Sequence, residues 1–113
     1  MKVIWLDDER EPYNFLYEEL EYTEKDITIC KNYSQFVEAI EQEGLPEMIC
    51  FDHDLGEEKT GYDCAKYLVQ FCIDNDLDIP KFGIQSSNGP GADNIRAYLS
   101  NYHKFYEKLH SEA

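Results

Sequence analysis

Four short apolar runs alternate with stretches of helical spacing along this 113-residue chain. Lys2-Val3-Ile4-Trp5-Leu6 is rich in β-branched and aromatic residues, and Asp7-Asp8 stops it. That pattern reads as a buried strand. Residues 27–30, 47–51 and 81–84 read as three more strands. Between the first two, Pro12 opens a helix with Tyr13, Leu16, Tyr17 and Leu20 at helical spacing. Ser34 is the expected cap of the next helix, with Phe36, Val37 and Ile40 on one face and Gly44 past its end. Residues 62–75 carry Ala65, Leu68, Val69, Cys72 and Ile73 at helical spacing. A last helix starts at Pro90 or Ala92, passes Leu99 and extends into residues 103–113. The resulting β-α-β-α-β-α-β-α order predicts one domain over residues 1–113, an α/β fold whose parallel sheet has helices on both faces. Such sheets bind ligands beyond the carboxyl ends of their strands.

Charge narrows the partners. With 24 acidic and 10 basic residues the formal charge is −14. A broad double-stranded nucleic-acid face needs Lys and Arg to neutralise phosphates, so none is expected. A small phosphorylated ligand remains open if a divalent cation mediates it. No apolar run approaches the roughly 18 residues that a membrane helix needs. The start, MKVIWLDDE, reads as a strand and lacks the long apolar region of a signal peptide, which predicts a cytoplasmic protein without membrane contact. Cys30, Cys50, Cys64 and Cys72 form no Cys-x-x-Cys pair. They read as reduced, mostly buried thiols and argue against zinc.

The strand ends carry the chemistry. The first run ends in Asp7-Asp8, the third in Asp52-His53-Asp54, and the fourth in Gln85-Ser86-Ser87-Asn88. Taken singly, an Asp pair is a turn former and Ser-Ser-Asn is a cap. Taken together, they put four carboxylates, an imidazole and several neutral hydrogen-bonding groups at one sheet edge. Four carboxylates repel one another, and a cation removes that penalty. Oxygen-only ligands favour Mg²⁺, Mn²⁺ or Ca²⁺ over zinc, and Mg²⁺ often completes its shell with phosphate oxygens. Arg10 is a candidate phosphate fork, and Gln85, Ser86, Ser87 and Asn88 are candidate phosphate-binding groups.

These blocks resemble two related families. An acidic pair after strand one, Asp52 after strand three, Gly61 nine positions on and Ser86 after strand four resemble a response-regulator receiver domain. That resemblance implies a receiver-like (flavodoxin-like) three-layer sandwich, truncated here to about four parallel strands. It also implies Mg²⁺ on Asp7, Asp8 and Asp52, with Asp52 as phosphoacceptor and Ser86 at the switch hydroxyl position. An ordinary receiver has a fifth strand ending in a lysine; here Lys104 and Lys108 follow no clear strand. LDDEREP (6–12), FDHDLGEEKTGYD (51–63) and SSNGPGADNIRAYL (86–99) more closely resemble the cyclic-phosphate processing receiver-like family. Where that family tends to have His, this chain has Gln85, which cannot titrate.

The resemblance implies a metal-dependent phosphoesterase acting on a cyclic or terminal phosphate in a nucleotide or RNA context. Its metal shell would be Asp7, Asp8 and Asp52, with Asp54 as a further ligand or base. Asp52, His53 and Asp54 are the catalytic candidates, and His53 is the residue whose unperturbed pKa lies near neutrality. The expected partner is a small phosphorylated ligand or an RNA end. The alternative is a signalling module, either phosphorylated on Asp52 or a pseudo-receiver that engages a protein.

Overall fold

The computed structural model describes residues 1–111; the expected extension of the last helix over 112 and 113 lies outside the described residues. All four residues of β1 (Val3–Leu6) are buried, as a central parallel strand covered on both faces requires. It pairs in parallel with β2 (Ile27–Cys30) on one side and β3 (Met48–Phe51) on the other, and β4 (Lys81–Ile84) pairs in parallel with β3. The order is β2-β1-β3-β4. The chain leaves β1 for β2 and returns past β1 to β3, so the switch in strand order falls between β1 and β3. Trp5 is level with Cys50 in that pairing, so Asp7 and Asp52, two residues further on, leave the sheet side by side. No helix among the described residues is long and apolar enough to cross a membrane.

Alternation along the strands divides the core. Ile4, Leu6, Ile49 and Phe51 face a large cluster shared with α2 (Tyr33–Glu43), α3 (Gly61–Asn75) and α4 (Gly89–His110). Val3, Trp5 and Cys50 face the opposite way, onto Leu16 of α1 (Asn14–Glu18). Each fully buried aliphatic or aromatic side chain contributes about 1.5–3 kcal/mol, so most of the apolar stabilisation sits on the α2–α3–α4 face.

The helix expected from Pro12 to Leu20 shrinks to the five residues of α1. It has no side-chain cap, no acid in its first turn and no base in its last, and Glu21 at φ 58 turns the chain away. Only Leu16 is buried, while Tyr13 and Leu20 stay exposed. The cap of α2 is Asn32, not Ser34: its Oδ1 accepts from the Gln35 N–H at 2.9 Å, and Ser34 already lies inside the helix. Ala39 joins Phe36 and Ile40 in the core in place of Val37, and Gly44 ends the helix at φ 80 as expected. On α3, Cys64 is buried and Ile73 is exposed. The last helix begins at Gly89, with Asn88 Oδ1 accepting the Gly91 N–H at 2.9 Å. It continues to His110, its far half tied to the α3–β4 loop by Tyr102 Oη donating to Leu77 O and by His103 on Asp78. All four cysteines are free and buried, and burial pushes the thiols of Cys30 and Cys50 up to about 11.

Candidate functional site

Asp7 is 2 % exposed at the end of β1. Its Oδ1 accepts the backbone N–H groups of Glu9 and Arg10 at 3.0 and 2.9 Å, which folds the acidic turn back on itself. Its Oδ2 is buried without a hydrogen-bond partner, and the guanidinium of Arg10 comes only to 4.0 Å from it. Orphaned buried carboxylate oxygens are costly and rare. One oxygen from each of Asp7, Asp8 and Asp52 lies within 4.8 Å of the others. Burial, then the charge of Asp7, pushes the Asp52 carboxyl up to about 6, with Asp8 adding to the rise; Arg10 and the His53 N–H pull it the other way.

These three carboxylates line a hollow of about 290 Å³ together with Glu9, Arg10, Asp54 and Ser87. Gly56 shapes its rim: at φ 67 the β3–α3 loop turns tightly, and a Cβ there would stand 3.0 Å from Asp8 Oδ2. A steeper constraint acts at Gly61, where a Cβ would lie 1.9 Å from the Asp52 carbonyl oxygen. The first residue of α3 is thus pressed onto the backbone that carries Asp52, with its N–H on His53 O at 2.8 Å. A capping box between Thr60 and Asp63 fixes that helix end.

His53 takes a different place. It does not line the hollow, and its ring lies largely covered against the first turn of α4, where Gly91 leaves room for it. Nδ1 is 2.8 Å from Asp54 Oδ1, and Asn88 Nδ2 is 3.3 Å from both atoms. An ionised carboxylate only accepts, so Nδ1 carries the proton. The His53 bond, then that of Asn88, holds the Asp54 carboxyl below the usual carboxylate range.

Gln85 and Ser86 are engaged by the chain itself. Gln85 Nε2 donates to Leu6 O at 3.1 Å and its N–H to Phe51 O at 2.9 Å, which ties the ends of β1, β3 and β4 together. Its carbonyl accepts from Arg10 Nη1. Ser86 Oγ accepts the Asn88 N–H at 3.0 Å, while Ser87 reaches the hollow. Sequence reasoning passed over Glu9, Gly56 and Gly91. Glu9 continues the acidic turn, and both glycines sit inside blocks whose polar residues drew notice first.

Residues 2–101 match the model of the cyclic-phosphate processing receiver domain. The chain belongs to that family. Among solved structures, a chain described as a yeast Spc42 trimeric coiled-coil, amino acids 181–211, fused to another structure is similar with a TM-score of 0.56 and 17 % identity. The similarity covers 99 % of this chain and 85 % of that one, and at such identity it speaks to the fold alone. No curated protein matches the chain. In this cyclic-phosphate processing receiver, the described sheet has four strands, and Lys104 and Lys108 are exposed on the far half of α4. Lys104 stands sixteen residues beyond the Asn88 cap, roughly 24 Å along the helix.

Proposed function

We propose that the acidic hollow holds one divalent cation, Mg²⁺ or Mn²⁺, on Asp7, Asp8 and Asp52, and that it binds and processes a cyclic or terminal phosphate of a nucleotide or RNA end. The observation that carries this is Asp7 Oδ2, buried and unpartnered beside two further carboxylates. A hard cation fits an all-oxygen donor set and offsets the repulsion that raises the Asp52 carboxyl. When bound, such a cation polarises a phosphoryl oxygen and lowers the pKa of a bound water.

The chain's own residues do the rest. Arg10 has one guanidinium nitrogen on Gln85 O and keeps further N–H donors for phosphate oxygens at the hollow. Ser87 adds a hydroxyl donor at the same wall. Asp54, kept ionised by His53 and Asn88, is the proton acceptor at the rim. His53 aims it through Nδ1–H.

Calorimetry with MgCl₂ and MnCl₂, followed by incubation with a 2′,3′-cyclic nucleotide or with acetyl phosphate, tests this. Expected are one cation site, lost in Asp7→Asn and Asp52→Asn, and metal-dependent opening of the cyclic phosphate that fails in Asp54→Asn. A hydroxylamine-sensitive adduct on Asp52 without turnover would favour the phosphoacceptor alternative. Absence of cation binding to the wild-type chain would overturn both.

A further inference from the structure

Trp5 is the single tryptophan of the chain. It is 1 % exposed on β1, in the smaller core cluster with Val3, Leu16 and Cys50. A phenylalanine or a leucine would fill such a place. An indole adds one polar atom, and that atom can only donate. A buried donor left without an acceptor is costly, so its partner is fixed as firmly as its packing. Trp5 Nε1–H donates to the carbonyl of Arg10 at 2.9 Å, five residues on. The core thus commits its one indole donor to the acidic turn.

Arg10 is held at its other main-chain group as well. Its N–H donates to Asp7 Oδ1 at 2.9 Å. The peptide groups on both sides of the Arg10 Cα are therefore tied to β1 and its end. Beyond Arg10 the chain closes over the indole, where the Tyr13 ring makes a T-shaped contact with centroids 5.0 Å apart. The Arg10 side chain has one guanidinium nitrogen on Gln85 O and lines the acidic hollow. It is 39 % exposed, so burial alone does not set its direction. The clamped main chain does.

We infer that Trp5 is a positioning residue for anion binding at the acidic hollow: its indole N–H fixes the Arg10 main chain and so holds the guanidinium ready for a phosphate oxygen. The inference rests on the proposed phosphate site, and it adds that the phosphate contact is organised from the α1 side of the core. An arginine loses rotamer freedom when it binds, and a clamped main chain takes up part of that loss beforehand. The carboxylates do not need this help. Asp7 Oδ1 also holds the Glu9 N–H, at 3.0 Å, and Asp52 leaves the sheet from β3. Trp5 acts on the phosphate and not on the cation.

Calorimetry of the full chain with MgCl₂, then with inorganic phosphate in saturating MgCl₂, tests this split in the wild type and in Trp5→Phe. Phenylalanine keeps an aromatic ring and removes the donor. The expected phosphate affinity is roughly two- to tenfold weaker, the range that one freed side chain costs, with MgCl₂ affinity nearly unchanged. A tryptophan that only fills the core would lower the thermal midpoint and leave the phosphate affinity alone. That result, or equal losses of both affinities, would overturn the inference.

Two further readouts need no ligand. In the wild type the indole N–H should exchange slowly with solvent, and NMR relaxation should show the Arg10 Nε–H ordered. In Trp5→Phe the Arg10 Nε–H should become mobile while thermal unfolding stays cooperative. An indole N–H that exchanges like an exposed one, or an Arg10 side chain equally ordered in both chains, would overturn the inference whether or not phosphate binds. If Trp5→Phe does not fold, the wild type and Arg10→Ala decide. Bound phosphate should move the wild-type indole N–H signal. Arg10→Ala retains the acceptor carbonyl, so it should keep the signal in place and abolish the movement. A signal that ignores phosphate seen to bind by calorimetry would overturn the inference. A wild type that binds neither MgCl₂ nor phosphate would remove the proposed function, and the ligand-free readouts would still decide the role of Trp5.

Discussion

The imidazole of His53 occupies the space where a side chain on Gly91 would be: a Cβ there would lie 2.5 Å from Cγ and 2.8 Å from Nδ1. Nδ1 is also the atom that holds Asp54. Gly91→Ala should therefore displace the ring and break the His53–Asp54 bond. The largest influence keeping the Asp54 carboxyl low would go with it, and its pKa should rise toward the ordinary aspartate value. Carbon-detected NMR titration of Asp54 measures this directly. Alanine also favours a helix over glycine by up to about 1 kcal/mol, so the melting temperature should change little while the titration moves. An unchanged Asp54 curve would show that the ring has another way to sit.

At Gly61 the neighbour is backbone and cannot swing aside. A Cβ 1.9 Å from the Asp52 carbonyl oxygen forces α3 off the end of β3 and strains the Gly61 N–H bond to His53 O. Gly61→Ala should cost at least the roughly 1–3 kcal/mol typical of overpacking, read as a lower urea midpoint. It should also weaken cation binding, because Asp52 rides on the displaced peptide.

The legible part of this fold was the part written in strong local signals. The apolar runs place all four strands, since a buried parallel strand needs a continuous apolar stretch, and Asp7 and Asp52 stop the first and third. Asp7 and Asp52 meet because β1 and β3 are neighbours at the switch point; the alternation of elements implied a parallel sheet with its carboxyl ends at one edge, but not this strand order. The length of α1 was not legible: Tyr13, Leu16, Tyr17 and Leu20 have helical spacing, but no cap or end charge sustains more than five residues. Nor was the cap of α2, because Asn32 and Ser34 are both good cap types and only the observed first turn chooses between them. The direction of the His53 side chain depended on Gly91, thirty-eight residues away in sequence, and no local pattern reports such a contact.

Thr60 and Asp63 offer a cleaner energetic test than either glycine. Thr60 Oγ1 accepts the Tyr62 and Asp63 N–H groups at 3.2 and 3.4 Å, and Asp63 Oδ2 takes the Thr60 N–H at 2.8 Å. Thr60→Ala removes one half of this reciprocal cap and should destabilise the chain by about 1 kcal/mol in chemical denaturation. A loss within error of zero would mean that water replaces the hydroxyl at no cost.

Asp52 makes the sharpest prediction, because its sign reverses with the cation. Without cation, the folded Asp52 carboxyl titrates at about 6, above its ordinary value of 3.8, so the native state holds its proton more tightly than the unfolded chain does. For an acid shifted upward, stability is highest below the unfolded value and falls as pH rises through about 6. At pH 7 the ionised group costs up to about 3 kcal/mol, from two pH units at 1.36 kcal/mol each. Asp52→Asn should therefore raise the melting temperature of the cation-free protein at pH 7, and the advantage should vanish below about pH 4. Added Mg²⁺ inverts the comparison, since a ligand that binds only the folded state stabilises it in proportion to the logarithm of its concentration over Kd. The wild type should gain with each increment of MgCl₂ and the Asp52→Asn variant should not. Proton and cation compete for the same carboxylate, so the wild-type gain should shrink below pH 6, with apparent affinity falling up to about tenfold per pH unit. Thermal melts over a grid of pH and MgCl₂ separate these effects. A wild type that ignores MgCl₂ at pH 7 while Asp52→Asn stabilises would leave the raised carboxyl intact and remove the cation from the proposal.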